Sequence, residues 1–207
     1  MSGTRRRRVL LVVVVVLVVG LVAAGVAFWW VVIRDTRPRF AVDEVDDGLK
    51  VEWVSTDVLD TLFETTYRLT NTTGEDVWLG GSRGIVSDRS RGGYAFAAAF
   101  VPPDPDVDYY VEPASGVSVL GAGESRYLNI SVALPFSLMP QMEDDDSDVY
   151  VDPSSLRICV GYIPDSELPE GMPEKGLSLG YPDMLAIYDW TGFRLQHVSC
   201  SEPFDLN

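Results

Sequence analysis

Beyond residue 40 the apolar positions recur with a period of two, the signature of half-buried strands. "LKVEWV" sets Leu49, Val51 and Trp53 against Lys50 and Glu52. "FETTYRLTN" places Phe63, Thr65, Tyr67 and Leu69 on one face, with Glu64, Thr66, Arg68 and Thr70 on the other. "TTGED" reads as a turn and "VWLGG" as the returning strand. "GYAFAAAFV" predicts another strand, ended by Pro102 and Pro103. "VSVL" leads through the turn "GAGES" into "RYLNISVALP", where Leu128, Ile130, Val132 and Leu134 point one way. "SLRICVGYI" aligns Leu156, Ile158, Val160 and Tyr162. "MLAIYDW", a turn at Thr191–Gly192 and "FRLQHVSC" complete the pattern. No long amphipathic helix is predicted; Val54–Phe63 suits at most a short helical turn.

Many short strands with turns between them predict an antiparallel sandwich or barrel. The run "YRLTNTTGEDVWL … LGAGESRYLNISVALP … LRICVGY" resembles bacterial extracytoplasmic immunoglobulin-like sandwiches, over residues 49–163. The resemblance implies an all-β, antiparallel immunoglobulin-like fold. The cysteine phase departs from antibody domains. Cys159 alternates with Ile158 and Val160 and so shares a face with Arg157, not with the row expected to face the opposite sheet.

The N-terminus has a different character. Arg5–Arg8 precede an uncharged run of 25 residues, Val9 to Ile33. As a helix it would be about 37 Å long, enough to cross a hydrocarbon core of about 30 Å. Phe28, Trp29 and Trp30 lie where aromatic rings suit a membrane interface, and Arg34, Arg37 and Arg39 follow. A cleaved signal peptide is the alternative, with Gly25 and Ala27 as its small residues. "FWWVVI" continues the apolar run past that point, which favours an uncleaved anchor. Gly20 and Ala24, and Ala23 and Ala27, give small residues four apart that permit close helix packing. The expected organisation is a basic cytoplasmic segment (1–8), one N-terminal transmembrane helix (9–33), a juxtamembrane linker (34–47) and an extracytoplasmic β-sandwich (48–207). The protein is then an integral, single-pass membrane protein.

Cys159 and Cys200 are the only cysteines. An even pair in a domain outside the cytosol predicts a disulfide that staples the C-terminal strand to its neighbour; two buried free thiols are the alternative. Residues 40–207 carry thirty acidic and nine basic side chains, a net charge of −21. So negative a surface argues against nucleic acid and against anionic lipid heads.

Two acidic stretches look alike: "DVDYYVEPAS" (106–115) and "DSDVYVDPSS" (146–155). Asp104, Asp106, Asp108 and Glu112 in the first, and Asp144, Asp146, Asp148 and Asp152 in the second, are candidate calcium ligands, since alternating carboxylates supply hard oxygens. An EF-hand is excluded: its sixth loop position needs Gly, and here Tyr109 and Val149 stand there. Recurring turn punctuation is the simpler reading of the pair. Met139 and Met142 carry thioethers that suit copper(I), with no histidine placed beside them.

Asn71 and Asn129 head glycosylation sequons; Asn71 is expected at an accessible turn and Asn129 on an outward strand face. His197 is the only histidine, which rules out multi-histidine zinc sites. An enzyme would have to gather carboxylates such as Asp183 or Asp189 around it, and no nucleophile motif is present. The inventory points to a non-catalytic binding module or accessory subunit of an envelope complex with a protein partner. Loops 102–113, 139–153 and 164–176 are its candidate surfaces. A calcium-dependent adhesion module is the alternative.

Overall fold

The computed structural model describes residues 20, 46–88, 93–104, 107–139, 148–149, 156–177 and 181–204. The chain divides into two units, Met1–Pro38 and Arg39–Asn207, and the strand-built domain is the second. Of the predicted transmembrane helix at 9–33, only Gly20 is among the described residues. Among those described, no helix is long and apolar enough to cross a membrane.

In the domain, β1 (Leu49–Val58), β2 (Leu62–Asn71) and β8 (Ser125–Ala133) form one antiparallel sheet in the order β1-β2-β8. The alternation in β2 holds as predicted: Phe63, Thr65, Tyr67 and Leu69 are buried, and Glu64 and its neighbours in phase are not. The expected helical turn at Val54–Phe63 does not form. β1 runs on to Val58 through a bulge between Trp53 and Ser55, and the chain reverses at 59–61. Leu59 N–H donates to Leu62 O at 2.8 Å and closes that hairpin.

The second sheet is organised on β11 (Leu156–Pro164), all nine residues of which are buried. β5 (Gly93–Ala99) and then β3 (Val77–Leu79) lie along one edge of β11, and β14 (His197–Cys200) lies along the other. Past β14, the amides of Ser201 and Phe204 continue to bond β11 carbonyls. β4 (Ser82–Asp88) extends the sheet beyond β5, and β7 (Ser118–Leu120) extends it beyond β3. The β5–β11 pair is parallel, a departure from the wholly antiparallel expectation. The sequence pattern does not predict β4. Its Ser-Arg-Gly start carries no alternation, and it is held as the hairpin partner of the Ala-rich β5.

The two sheets share one core. Leu49, Phe63, Tyr67 and Leu69 from the first meet Phe96, Leu120, Ile158 and Tyr162 from the second. Burying a side chain of this size contributes about 1.5–3 kcal/mol. The far face of the second sheet is covered as well. Cys159, Ala97 and Val198 form a second cluster there, and Phe100, Ile163 and Ile187 a third. That layer explains why β11 is uncharged on both faces beyond Arg157.

Smaller elements complete the domain. β6 (Ala114–Gly116), β12 (Glu174–Lys175) and β13 (Leu185–Tyr188) make a three-stranded sheet, and β9 (Phe136–Ser137) pairs with β10 (Asp148–Val149). Helix α1 (Asp189–Leu195) replaces the turn and strand expected at Thr191–Leu195. Its two turns close over Phe100 because Gly192 leaves room: a Cβ there would lie 2.3 Å from the Phe100 ring.

Candidate functional site

A densely bonded polar cluster surrounds His197. Its position follows from the β11–β14 register, which sets Tyr162 opposite His197, Val160 opposite Ser199 and Cys159 opposite Cys200. Because strand side chains alternate, His197 and Ser199 share the face of Tyr162, and Val198 and Cys200 turn to the other layer. The chain entering β1 crosses β14 here. Asp46 N–H donates to Val198 O at 2.8 Å, and Leu49 N–H donates to Ser199 Oγ at 3.0 Å.

His197 is held from both sides. Nδ1 lies 2.9 Å from Asp46 Oδ2, and Nε2 lies 2.9 Å from Glu167 Oε2 and 3.0 Å from Oε1. Asp46 Oδ1 accepts from the Tyr162 hydroxyl at 2.6 Å, from Ser199 Oγ at 3.0 Å and from Gly48 N–H at 3.1 Å. The 3-10 turn Asp165–Glu167 carries Glu167 to the ring. That turn is fixed in its own right: Trp78 Nε1 donates to Asp165 Oδ1 at 2.9 Å, and Ser166 N–H donates to Glu75 at 2.7 Å.

The electrostatics follow from this geometry. Burial pulls the His197 imidazole toward its neutral form. The hydrogen bond and charge of Glu167, then those of Asp46, outweigh that and raise its pKa above 6.5. Burial pushes the Asp46 carboxyl up, but donors from Tyr162, Gly48, Ser199 and His197 hold it below 3.8. Tyr162 is driven well above the usual phenol range by burial and by the Asp46 carboxylate.

This arrangement suits charge-assisted binding between segments more than proton transfer to a substrate. Both ring nitrogens face carboxylates. Ser199 is fully buried and bonds to Asp46. The carboxylates on the ring are Asp46 and Glu167, and not Asp183 or Asp189, which the enzyme alternative would have needed there. Asp189 instead accepts from Ser115 Oγ at 2.7 Å, and burial raises its pKa. Asp183 is exposed in the turn before β13. Nothing local in the sequence ties Asp46 to His197, which stands 151 residues later.

The disulfide is present. Cys159 and Cys200 bond across the β11–β14 ladder, with an S–S distance of 2.04 Å. As expected from its phase, Cys159 lies in the second cluster, away from the core between the sheets.

Of the candidate calcium ligands, Asp104, Asp108 and Glu112 are described. Asp106, Asp144, Asp146 and Asp152 lie outside the described residues, as does the side chain of Asp148 in β10. Asp108 and Glu112 are exposed, and the Tyr109 hydroxyl oxygen accepts from Asp104 N–H at 3.2 Å. Among the described residues, no three His, Cys, Asp or Glu side chains gather as a metal site. Met139 is buried in the second cluster.

The expected accessibility of Asn71 is corrected. It is 1% exposed, and its Nδ2 donates to the carbonyls of Glu75, Leu120 and Gly121. It ties the turn after β2 to the turn before β8, so its amide is closed to glycosylation in the folded domain. Asn129 is exposed, as predicted, with its Oδ1 accepting from Thr66 Oγ1 at 2.8 Å. It lines a shallow groove of about 270 Å³ with Asp57, Glu64 and Ser131 on the outer face of the first sheet.

The loop between β5 and β6 presents the most exposed apolar side chains of the domain among the described residues. Tyr110 is fully exposed, Val111 is 74% exposed, and Val107 and Tyr109 are close to half exposed. No protein-family model, curated protein or solved structure matches this chain.

Proposed function

We propose that this chain is a single-pass membrane protein whose extracytoplasmic, immunoglobulin-like β-sandwich binds a protein partner without catalysing a reaction. The observation that carries the reading is the exposed Val107, Tyr109, Tyr110 and Val111 on loop 102–113. Rigid aromatic side chains standing in water on a loop fixed to a β scaffold are the usual anchors of a protein interface. The acidic surroundings at Asp104, Asp108 and Glu112 favour a partner with basic groups around an apolar centre.

The strand order supports the fold-level part of the proposal. β1-β2-β8 lies against β14-β11-β3-β7, which corresponds to the A-B-E and G-F-C sheets of the immunoglobulin arrangement. The β4–β5 hairpin is an addition to that plan. The disulfide supports an oxidising compartment, and the basic-flanked apolar run at 9–33 supports the anchor.

The test is cross-linking and affinity capture of the full-length protein from native membranes, beside a Tyr110→Asp, Val111→Asp variant. The proposal expects a specific partner with the natural chain and its loss with the variant. Failure to recover any specific partner over several salt concentrations counts against it. Equal recovery with the variant would move the interface away from this loop.

A further inference from the structure

We propose that His197 is a pH-operated clasp. As an imidazolium it ties the 165–167 turn to the entry of the domain at Asp46. On losing its proton it lets go of Glu167 and loosens the adjoining 167–173 segment.

The geometry demands the charged ring. Carboxylates only accept hydrogen bonds, and Asp46 and Glu167 stand 2.9 Å from the two different ring nitrogens. Both nitrogens must therefore carry a proton, and only the imidazolium has two N–H groups. A neutral ring keeps one. Its other nitrogen then turns a lone pair toward a carboxylate, which repels it.

The two contacts are unequal, and this decides which one breaks. Asp46 is also held by the hydroxyls of Tyr162 and Ser199, by Gly48 N–H and through its own backbone. Glu167 is 44% exposed and has no other hydrogen-bond donor among the described residues. The neutral ring retains its Nδ1–H toward Asp46 and presents the Nε2 lone pair to Glu167. The chain after Glu167 is lightly fastened. Leu168 is half-buried against the third cluster, and the segment is next anchored at Glu174, where β12 meets β13.

The groups facing the ring are Asp46 from the entry segment, Glu167 from the 3-10 turn and Tyr162 from β11, whose ring centroid lies 5.6 Å away. Tyr162 stays neutral throughout the range in which the imidazole titrates. The carboxylates raise the His197 pKa above 6.5, so the clasp is closed in acid and opens as pH climbs past that raised value.

The single histidine makes the test direct, because one imidazole resonance reports the titration. The full-length protein in detergent is followed by NMR and by hydrogen exchange from about pH 5 to pH 8.5, with exchange corrected for its intrinsic pH dependence. The expected result is a His197 pKa above 6.5. Protection of the Leu168 and Met172 amides, which bond to Asp165 O and Pro169 O, should fall about three- to fivefold as the ring deprotonates, the scale of a partly exposed ion pair. Glu167→Gln should move the pKa back toward 6.5 and flatten that dependence, and the rest of the domain should keep its protection. A His197 pKa at or below 6.5 would overturn the proposal. So would unchanged protection at Leu168 and Met172, or a Glu167→Gln variant with the same pH dependence as the natural chain.

Discussion

Arg157 Nε lies 2.6 Å from Asp88 Oδ2, and both side chains are only 3% exposed. The pair joins the end of β4 to the start of β11 on the layer away from the main core. A buried charge without its counter-ion is severely penalised. Asp88→Ala is therefore expected to destabilise the domain by about 3–5 kcal/mol, read as a lower urea midpoint with an unchanged slope. Replacing both residues with apolar side chains of similar volume should recover most of that loss. If the double variant is no better than Asp88→Ala, charge is not what holds this junction together.

The disulfide closes a loop of 41 residues. In the chain-entropy account such a crosslink stabilises by about 4 kcal/mol. Reduction, or a Cys159→Ala, Cys200→Ala variant, should lower the melting temperature by about 10 °C or more for a domain of this size. Cys159 is fully buried, so reduction under native conditions should be slow and should quicken in urea. A melting temperature indifferent to reductant would refute this.

Asn71 should prove structural. Replacing it with Ala leaves the carbonyls of Glu75, Leu120 and Gly121 without their shared donor and removes the acceptor for Thr73. The expected loss is about 2–4 kcal/mol, measured by thermal or urea unfolding. Asn129→Ala, on the exposed face, should stay within about 1 kcal/mol of the natural chain.

The His197 cluster gives stability a defined pH window. The His197 pKa is raised by folding, so its contribution is complete below 6.5 and fades as pH rises through the folded value. The Asp46 pKa is lowered, so its contribution is complete above 3.8 and fades as pH falls through the folded value. Together they favour the folded state most between about 3.8 and 6.5. Both groups are more than one-third exposed, so each limb should amount to less than about 1 kcal/mol. His197→Gln should remove the upper limb and leave the lower one, as read from urea midpoints across pH.

The sequence reveals whatever a single strand decides for itself. β2 and β8 face one sheet and water, so their alternation marks the correct inward rows at Phe63–Leu69 and Leu128–Val132. The phase of Cys159 puts it away from the core between the sheets, and the pairing with Cys200 follows from there being only two cysteines. Features set by distant packing stay hidden. α1 is two turns with a glycine inside, a poor helix by propensity, and it forms because Phe100 fills the space that Gly192 leaves. Asn71 reads as an exposed turn residue because its three carbonyl partners include Leu120 and Gly121, about fifty positions on. Asp46 and Glu167 read as solvated acids until β14 brings the imidazole between them.

The burial of β11 on both faces has a consequence for how the chain acquires its shape. Its neighbours β5 and β3 precede it by about sixty and about eighty-five positions, and β14 follows it. Everything from Leu49 to Val149 is thus synthesised before the strand on which the second sheet assembles. Such distant pairings place the domain among slow folders, in the millisecond-to-second range. The first sheet can pair by Ala133, but the second cannot close until the last quarter of the chain arrives, and until then the edges of β3 and β5 that will meet β11 stay without their partner.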